Sequence, residues 1–81
     1  MNIEAIDAFI TSKKSADKET TIQFRKRDSI KGIFVIGKDY EELKVKNFWR
    51  IVTATNIENF NKNNDIGLAR IFNGLDIVKL S

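Results

Sequence analysis

Cysteine, histidine and proline are all absent from the 81-residue chain. Without cysteine there can be neither a disulfide framework nor a thiolate metal site, and without histidine the usual neutral metal ligand and acid–base group is missing. The absence of proline argues against an extended, proline-rich recognition motif. We therefore expect no bound metal, no cofactor and no catalytic residue.

Long apolar runs are missing as well. No apolar stretch approaches the roughly 18 residues that a membrane-spanning helix needs. The first ten residues contain Glu4 and Asp7, whereas a secretory signal would contain lysine or arginine. These features predict a cytoplasmic protein that does not cross a membrane. The short chain leaves no room for a large catalytic cleft, so the sequence favours a single non-enzymatic binding domain spanning residues 1–81.

The N-terminal segment has the spacing of an amphipathic helix. Asn2 can cap the helix, and apolar residues recur on one face at Ile3, Ile6, Phe9 and Ile10. The pattern predicts a helix over residues 3–14, ending in two lysines that suit the negative end of a helix dipole. Because the polar face is acidic, we favour a helix that covers one open end of the small β-barrel predicted below over a helix that lies on a membrane surface.

Five later segments have the composition of short β-strands, at residues 20–27, 30–36, 48–53, 66–72 and 75–80. The first alternates, with Ile22 and Phe24 on one side and Gln23 on the other. The second is apolar on both faces after Lys31, and its Gly32 can admit a close neighbour. Closing these strands into a barrel would remove exposed strand edges. The predicted fold is mainly β with short helices: an N-terminal helix followed by a five-stranded, strongly bent small β-barrel.

Asn73 and Gly74 separate the last two strands, and this pair readily takes the positive φ angles of a type I′ turn. We therefore predict a β-hairpin. Its expected cross-strand pairs are Phe72 with Leu75, Arg70 with Ile77 and Ala69 with Val78. In such a turn Gly74→Val would be far more damaging than Lys79→Val, because only Gly74 needs positive φ.

Two segments between the strands resemble helix starts. Asp39 with Glu42, and Thr55 with Glu58, have the form of capping boxes. They predict helical turns at residues 40–45 and 56–62. Residues 42–46 also alternate, so a strand remains the alternative for the first of these segments.

Three stretches resemble the motifs of the Sm and Sm-like proteins, a group that includes bacterial Hfq. Residues 24–39 (FRKRDSIKGIFVIGKD) are similar to the first Sm motif, with a polar turn, a glycine in the bent second strand and a closing aspartate. Residues 47–52 (NFWRIV) are similar to the start of the family's third strand, which opens with an asparagine. Residues 71–77 (IFNGLDI) are similar to the second Sm motif. In element order the resemblance spans residues 3–80.

The resemblance implies the Sm fold and a ring built by pairing the fourth and fifth strands of neighbouring subunits. Three features depart from the family pattern. Asp39 and Asn47 are farther apart than in the family, which implies an insertion in a loop that helps to hold a uridine or adenine base. Asn73 replaces the family's usual arginine before Gly74, and the Tyr-Lys-His signature of the bacterial branch is absent.

Basic and aromatic residues together suggest a surface for single-stranded RNA. The chain has a mild positive balance of +3, and Tyr40 and Trp49 could stack on unpaired bases. Acidic Asp28, Glu41 and Glu42 are interspersed with the cations and would weaken such a patch. The candidate residues for binding nucleic acid or a partner are Arg25, Arg27, Lys38, Asp39, Tyr40, Lys44, Lys46, Asn47, Trp49, Asn73 and Gly74.

Two functions remain open from the sequence. The first is a homo-oligomer, assembled by strand pairing, that binds single-stranded RNA. The alternative is a protein-interaction or regulatory module without a nucleic-acid role, for which the apolar segment 30–36 and the exposed edge of the predicted hairpin are the relevant features.

Overall fold

The computed structural model describes residues 1–12 and 19–81. Its helices are α1 (Ile3–Thr11), α2 (Tyr40–Val45) and α3 (Ile57–Asn63), and its strands are β1 (Thr20–Phe24), β2 (Ile30–Phe34), β3 (Phe48–Thr53), β4 (Arg70–Asn73) and β5 (Ile77–Leu80). Short 3₁₀ turns lie at Ala54–Asn56, Ile66–Leu68 and Gly74–Asp76. The helix α1 ends at Thr11, and Ser12 is already extended, so the helix is shorter than the predicted residues 3–14. Residues 13 and 14 of that prediction lie outside the described residues.

The start and the buried face of α1 agree with the sequence pattern. The Asn2 side chain accepts a hydrogen bond from the backbone N–H of Ala5 at 2.8 Å, which satisfies one of the free amides of the first turn. Ile6 is completely buried, and Ile3, Phe9 and Ile10 pack against the core. The apolar stripe of the helix therefore covers the sheet.

The five strands form one antiparallel sheet in the order β4-β3-β2-β1-β5. This confirms the predicted small, mainly β fold with an N-terminal helix. The sheet is open, because β4 and β5 lie at its two ends and do not pair with each other. β1, β2, β4 and β5 are also shorter than predicted; β4, for example, begins at Arg70 rather than at residue 66.

The predicted hairpin is wrong. β4 pairs with β3, where Trp49 lies opposite Phe72, and β5 pairs with β1, where Ile22 lies opposite Leu80. Gly74 does not have positive φ and instead begins the 3₁₀ turn. The pairs Phe72 with Leu75, Arg70 with Ile77 and Ala69 with Val78 are therefore absent from the sheet.

One long-range hydrogen bond and one local hydrogen bond explain why the turn has this form. The Gly74 N–H donates to the backbone carbonyl of Asn47 at 2.8 Å. The Asn73 side chain accepts from the N–H of Leu75 at 2.9 Å, which is a local side-chain turn. The polar groups of the turn are thus satisfied without a hairpin ladder, and the chain is free to cross from one end of the sheet to the other.

The sheet is strongly curved. The four Cα steps from Asn73 to Ile77 can span at most about 15 Å, whereas the outer strands of a flat five-stranded sheet would lie about 19 Å apart. The ring centroids of Phe24 on β1 and Phe72 on β4 are 5.5 Å apart, although these strands are not neighbours in the sheet. The two ends of the sheet therefore approach each other.

The core fills the concave space under α1. Its fully or nearly fully buried apolar side chains are Ile6, Ile22, Phe24, Trp49, Ile51, Ile77 and Leu80. Gly32 permits a close approach of β2 and β3, because a Cβ atom there would lie 2.6 Å from the carbonyl oxygen of Val52. Past the end of β2, Ile36 is 62% exposed, so the apolar run predicted for residues 30–36 is only partly covered.

Neither predicted capping box forms, although both helices do. Asp39 makes no side-chain cap of α2. Thr55 lies within a 3₁₀ turn, and Asn56 precedes α3 without a side-chain cap. The helical interpretation of residues 40–45 is confirmed over the strand alternative, but the Asp39 carboxylate is used elsewhere.

Candidate functional site

Asn47 lies at a junction between α1, β3 and the turn after β4. Its backbone has φ of 60°, a left-handed conformation that asparagine tolerates better than most residues. Its side-chain oxygen accepts from the indole N–H of Trp49 at 2.7 Å, and its side-chain nitrogen donates to the carbonyl of Met1 at 3.3 Å. Asn47 is 8% exposed, so its amide group is used inside the protein.

Three candidate residues from distant parts of the sequence meet at this junction. Asn73 lies opposite Phe48 at the start of the β3 and β4 pair, and Gly74 is buried against Asn47. A Cβ atom on Gly74 would lie 2.1 Å from the side-chain oxygen of Asn47 and 2.8 Å from a methyl carbon of Ile6. Asn47, Asn73 and Gly74 were separate candidates in the sequence, and in the structure their contacts hold the turn against the core.

Trp49 is a core residue. Its side chain is only 2% exposed, and its ring packs edge-on against Tyr40, with the centroids 5.9 Å apart. A base needs an open ring face for stacking. The stacking role that we expected for Trp49 is therefore not available in this conformation.

Tyr40 connects α2 to α1. Its hydroxyl donates to a carboxylate oxygen of Asp7 at 2.7 Å. Burial, together with this carboxylate, raises the pKa of Tyr40 well above its usual range. Lys44 lies 3.6 Å from the Asp7 carboxylate and 3.2 Å from that of Glu41, and its pKa is raised, first by the Glu41 contact. These polar side chains attach α2 to α1.

Asp39 forms a two-point ion pair with Arg50. The guanidinium donates through Nη2 at 2.6 Å and through Nε at 3.3 Å. The hydrogen bond from Arg50 lowers the pKa of the Asp39 carboxyl, so this group is a carboxylate at neutral pH. The pair joins the start of α2 to β3, which explains why Asp39 is not the helix cap.

Lys38 and Lys46 flank α2 and are exposed. Each projects from a turn at one end of the short helix. Unlike Lys44, neither has an ion pair among the residues that the structure describes. They are the candidate cations of this region that an external phosphate could reach.

Arg25 and Arg27 are two further candidates, and they lie just beyond the C-terminal end of β1. The Arg25 side chain donates to the carbonyl of Leu75 at 3.1 Å, which ties the β1–β2 loop to the turn before β5. The guanidinium carbon of Arg27 lies 5.1 Å from the ring centroid of Phe24 and 5.6 Å from that of Phe72. Arg27 therefore makes a cation–π contact with two rings at once.

A pocket of about 230 Å³ opens at these rings, lined by Phe24, Lys26, Arg27, Phe72 and Asp76. Sequence reasoning included Arg27 but missed Phe24, Phe72 and Asp76 as parts of one site. The spacing of Phe24 and Arg27 in one segment is a weak local signal. The contact with Phe72 depends on the curvature of the sheet, for which no local pattern exists.

Neither a metal site nor a membrane-spanning helix is found in the described parts of the chain. No group of three or more acidic side chains in residues 1–12 and 19–81 is arranged to hold a metal ion. Within the same ranges, every helix is too short or too polar to cross a membrane.

Comparison of the chain with protein-family models, with curated proteins and with solved structures gives no significant match. The resemblance to Sm-like proteins therefore rests on the short motifs described above. Function has to be inferred from the geometry of this chain.

Proposed function

We propose that this protein is a non-enzymatic, Sm-like binding and assembly module. In this proposal β4 of one copy pairs with β5 of the next, the copies close into a ring, and the ring binds single-stranded RNA. The observation that supports it is the pair of open edges: β4 is hydrogen-bonded on one side to β3, and β5 on one side to β1.

Open strand edges present unpaired N–H and C=O groups that can pair with another chain. Both edges also expose apolar side chains, with Ile71 on β4 at 49% and Val78 on β5 at 46%. Leu75, in the turn between these strands, is 64% exposed. Pairing the two edges would cover backbone polar groups and apolar surface together.

Contact between two different edges is head-to-tail, and repeated head-to-tail contacts give a ring when the rotation between copies closes. The strong curvature of the sheet supports this geometry. The edges of a flat sheet point in opposite directions and would extend copies in a row, whereas a curved sheet rotates each copy relative to the last. The same curvature, seen in the contact of Phe24 with Phe72, supports a small barrel as the architecture of each copy.

RNA binding is supported by the accessible cations and by the basic balance of the chain. In a ring, Lys38 and Lys46 would recur once in every copy and would form two rows of positive charge. Phosphate contacts of this kind do not depend on base sequence and weaken as salt rises. The proposed RNA surface therefore uses lysines rather than the buried Trp49.

The test combines mass and RNA binding. Light scattering should give a multiple of the 9.3 kDa chain mass, and fluorescence anisotropy should show binding of labelled U-rich and A-rich RNA that weakens with salt. The double variant Lys38→Ala with Lys46→Ala should reduce the slope of log affinity against log salt by about 1.4 for every copy that contacts the RNA, because each phosphate contact with a single strand contributes about 0.7. Lys62→Ala on α3 is the matched control and should leave that slope unchanged.

A 9.3 kDa monomer that fails to bind RNA even at low salt would overturn the proposal. That result would favour the alternative, in which the same open edges bind an extended segment of another protein. Oligomers without RNA binding would retain the assembly and remove the RNA role.

A further inference from the structure

The pocket between the two ends of the sheet has an unusual combination of side chains. Two phenylalanine rings form its apolar wall, two cations lie beside them, and one carboxylate stands at the turn before β5. Only Phe72 lies on a strand of the proposed ring contact, and all five lining residues belong to one copy of the chain. A ligand of this pocket can therefore be considered independently of assembly.

The size of the pocket limits the ligand to a small planar group. Its volume of about 230 Å³ is below the range of about 300–1,000 Å³ that is typical of pockets for drug-sized ligands. One heteroaromatic ring system is of suitable size. The apolar wall favours an aromatic ligand, because polar groups facing the rings would lose their hydration.

Arg27 provides a stacking surface for such a ring. Its guanidinium contacts Phe24 and Phe72, yet the residue is exposed to solvent. A guanidinium supported by aromatic rings is held in place, and unpaired bases stack on arginine planes as they do on aromatic side chains. The arrangement fits a base placed against Arg27 within the pocket.

Lys26 and Asp76 give the pocket two different polar functions. The ammonium of Lys26 suits a phosphate, and with Arg27 it outweighs the single negative charge of Asp76. The Asp76 carboxylate can only accept hydrogen bonds, and no partner for it is found among the residues that the structure describes. A ligand that donates two adjacent hydrogen bonds would suit it best.

Among the four RNA bases, guanine presents such a pair of donors, N1–H and the exocyclic N2–H₂, on its Watson–Crick edge. Adenine offers one donor beside an acceptor, uracil a donor between two acceptors, and cytosine a donor beside acceptors. Because an acceptor facing a carboxylate is repelled, these bases fit Asp76 less well. Base-specific pockets commonly combine stacking with contacts to this edge.

We propose that this pocket binds one unpaired guanine nucleotide, with the base stacked on Arg27, its Watson–Crick edge on the Asp76 carboxylate and its phosphate at Lys26. The nucleotide could come from two sources, a free guanosine monophosphate or a guanine within single-stranded RNA. The chemistry of recognition is the same for both.

The test is calorimetry and two-dimensional NMR of the full chain with the four nucleoside monophosphates and with inorganic phosphate. Guanosine monophosphate should bind about tenfold more tightly than adenosine monophosphate, because adenine offers the carboxylate one donor fewer, and a factor of about ten is the low end of what one hydrogen bond to a charged group contributes. Its addition should shift the amide signals of Lys26, Arg27 and Asp76. Two RNA pentamers that are identical except for one guanine or one adenine test RNA as the source. Comparison with guanosine monophosphate then shows whether the pocket prefers the free nucleotide or a guanine within RNA.

Three variants separate the roles of the side chains. Asp76→Asn should remove the preference for guanine, because an amide offers one donor and one acceptor, while binding of adenosine monophosphate stays within about twofold. Arg27→Ala should weaken all bases by about tenfold through lost stacking. Arg70→Ala, an exposed arginine outside the pocket, is the matched control and should change neither affinity nor preference.

Guanine preference that survives Asp76→Asn in a folded variant, or equal affinity for all four nucleotides, would overturn the proposal. Binding of inorganic phosphate as tight as that of the nucleotides would do the same. The variant Val78→Glu distinguishes this proposal from assembly: it should block the ring contact and leave guanine binding intact.

Discussion

At the scale of single residues, several polar side chains that could have faced a ligand are engaged inside the protein. Asn47 bonds the Trp49 indole and the Met1 carbonyl, and Asp39 bonds Arg50. In each case a buried or half-buried donor would otherwise lack a partner, which would cost about 1–3 kcal/mol. These residues position α1 and α2 on the sheet.

Gly74 is needed for space rather than for its backbone angle. The Gly74→Val prediction made from the sequence rested on positive φ, which the structure does not show. A Cβ atom at this position would overlap the Asn47 side chain, whose two hydrogen bonds prevent it from moving away. We therefore expect Gly74→Ala to lower the free energy of unfolding by about 1–3 kcal/mol or more, as overpacked core positions do.

Gly37→Ala is the matched control in urea unfolding. Its added Cβ would lie 2.9 Å from the end of the flexible, exposed Ile66 side chain, which can turn aside, and 3.3 Å from Asp39 Oδ1, where a shift of a few tenths of an ångström is enough. This variant should remain close to the wild type. Equal losses in the two variants would contradict the account of Gly74.

Residue identity predicted some members of the candidate site, but it did not predict which of their side chains face solvent. Asn47, Asn73 and Gly74 were three of the eleven candidates, and they meet in space, although the sequence did not predict that they would. Trp49 was a candidate for stacking on a base, a role that needs an exposed ring, but it is the largest apolar side chain and lies in the core. Whether a side chain faces solvent depends on the layer that covers it, here α1 and α2, and the sequence of β3 does not contain that information.

At the scale of elements, local patterns predicted the elements well and their pairing poorly. The hydrophobic periodicity placed α1 and the five strands correctly, with differences at their ends. The helices α2 and α3 lie where the capping-box patterns placed them, although neither capping box forms. The pairing of β4 and β5 was wrong because a local turn signal, Asn73-Gly74, competed with contacts to Asn47, 27 positions away from Gly74. Contacts at that distance leave no periodicity in the sequence.

Engineered disulfides test the observed strand order directly. Gln23 and Lys79 are exposed Cα partners on β1 and β5. Directly opposite residues of antiparallel strands have Cα atoms about 4.5–5.5 Å apart, which a disulfide can bridge. Because the chain contains no cysteine, Gln23→Cys with Lys79→Cys introduces just two thiols, and we expect them to form a bond within the chain.

The control is a second pair of cysteines, placed at two residues that the predicted hairpin would have made partners. Ala69→Cys with Val78→Cys should form no bond within the chain, since these residues are not partners in the sheet. Mass spectrometry of dilute, oxidised and alkylated protein counts the free thiols in both variants. An intrachain bond in the second pair and none in the first would restore the hairpin and contradict the strand order.

At the scale of the whole molecule, curvature connects the fold to the proposed function. A three-residue turn, Gly74–Asp76, crosses between the two ends of the sheet, so these ends lie close together while their outer edges stay open. This arrangement creates the pocket between Phe24 and Phe72, and it leaves the outer edges of β4 and β5 without a partner strand among the described residues, which is the feature that the proposed assembly uses. The sequence predicted strong bending, but which edges remain open depends on the strand order, and that order was not predictable from local patterns.

The most direct test of the central claim is the mass of two edge variants, alone and mixed. Ile71→Glu places a charge on the β4 edge and Val78→Glu on the β5 edge, each at an exposed position. If β4 pairs with β5, each variant alone lacks one of the two edges that every contact needs and should be a 9.3 kDa monomer. Val45→Glu, on the exposed face of α2, should assemble like the wild type.

An equimolar mixture of Ile71→Glu and Val78→Glu still contains one intact β4 edge and one intact β5 edge, on different chains. Light scattering and native mass spectrometry of the mixture should therefore show a dimer with one copy of each variant and nothing larger. A monomeric wild type, or a variant that forms dimers with itself, would contradict head-to-tail pairing of β4 with β5.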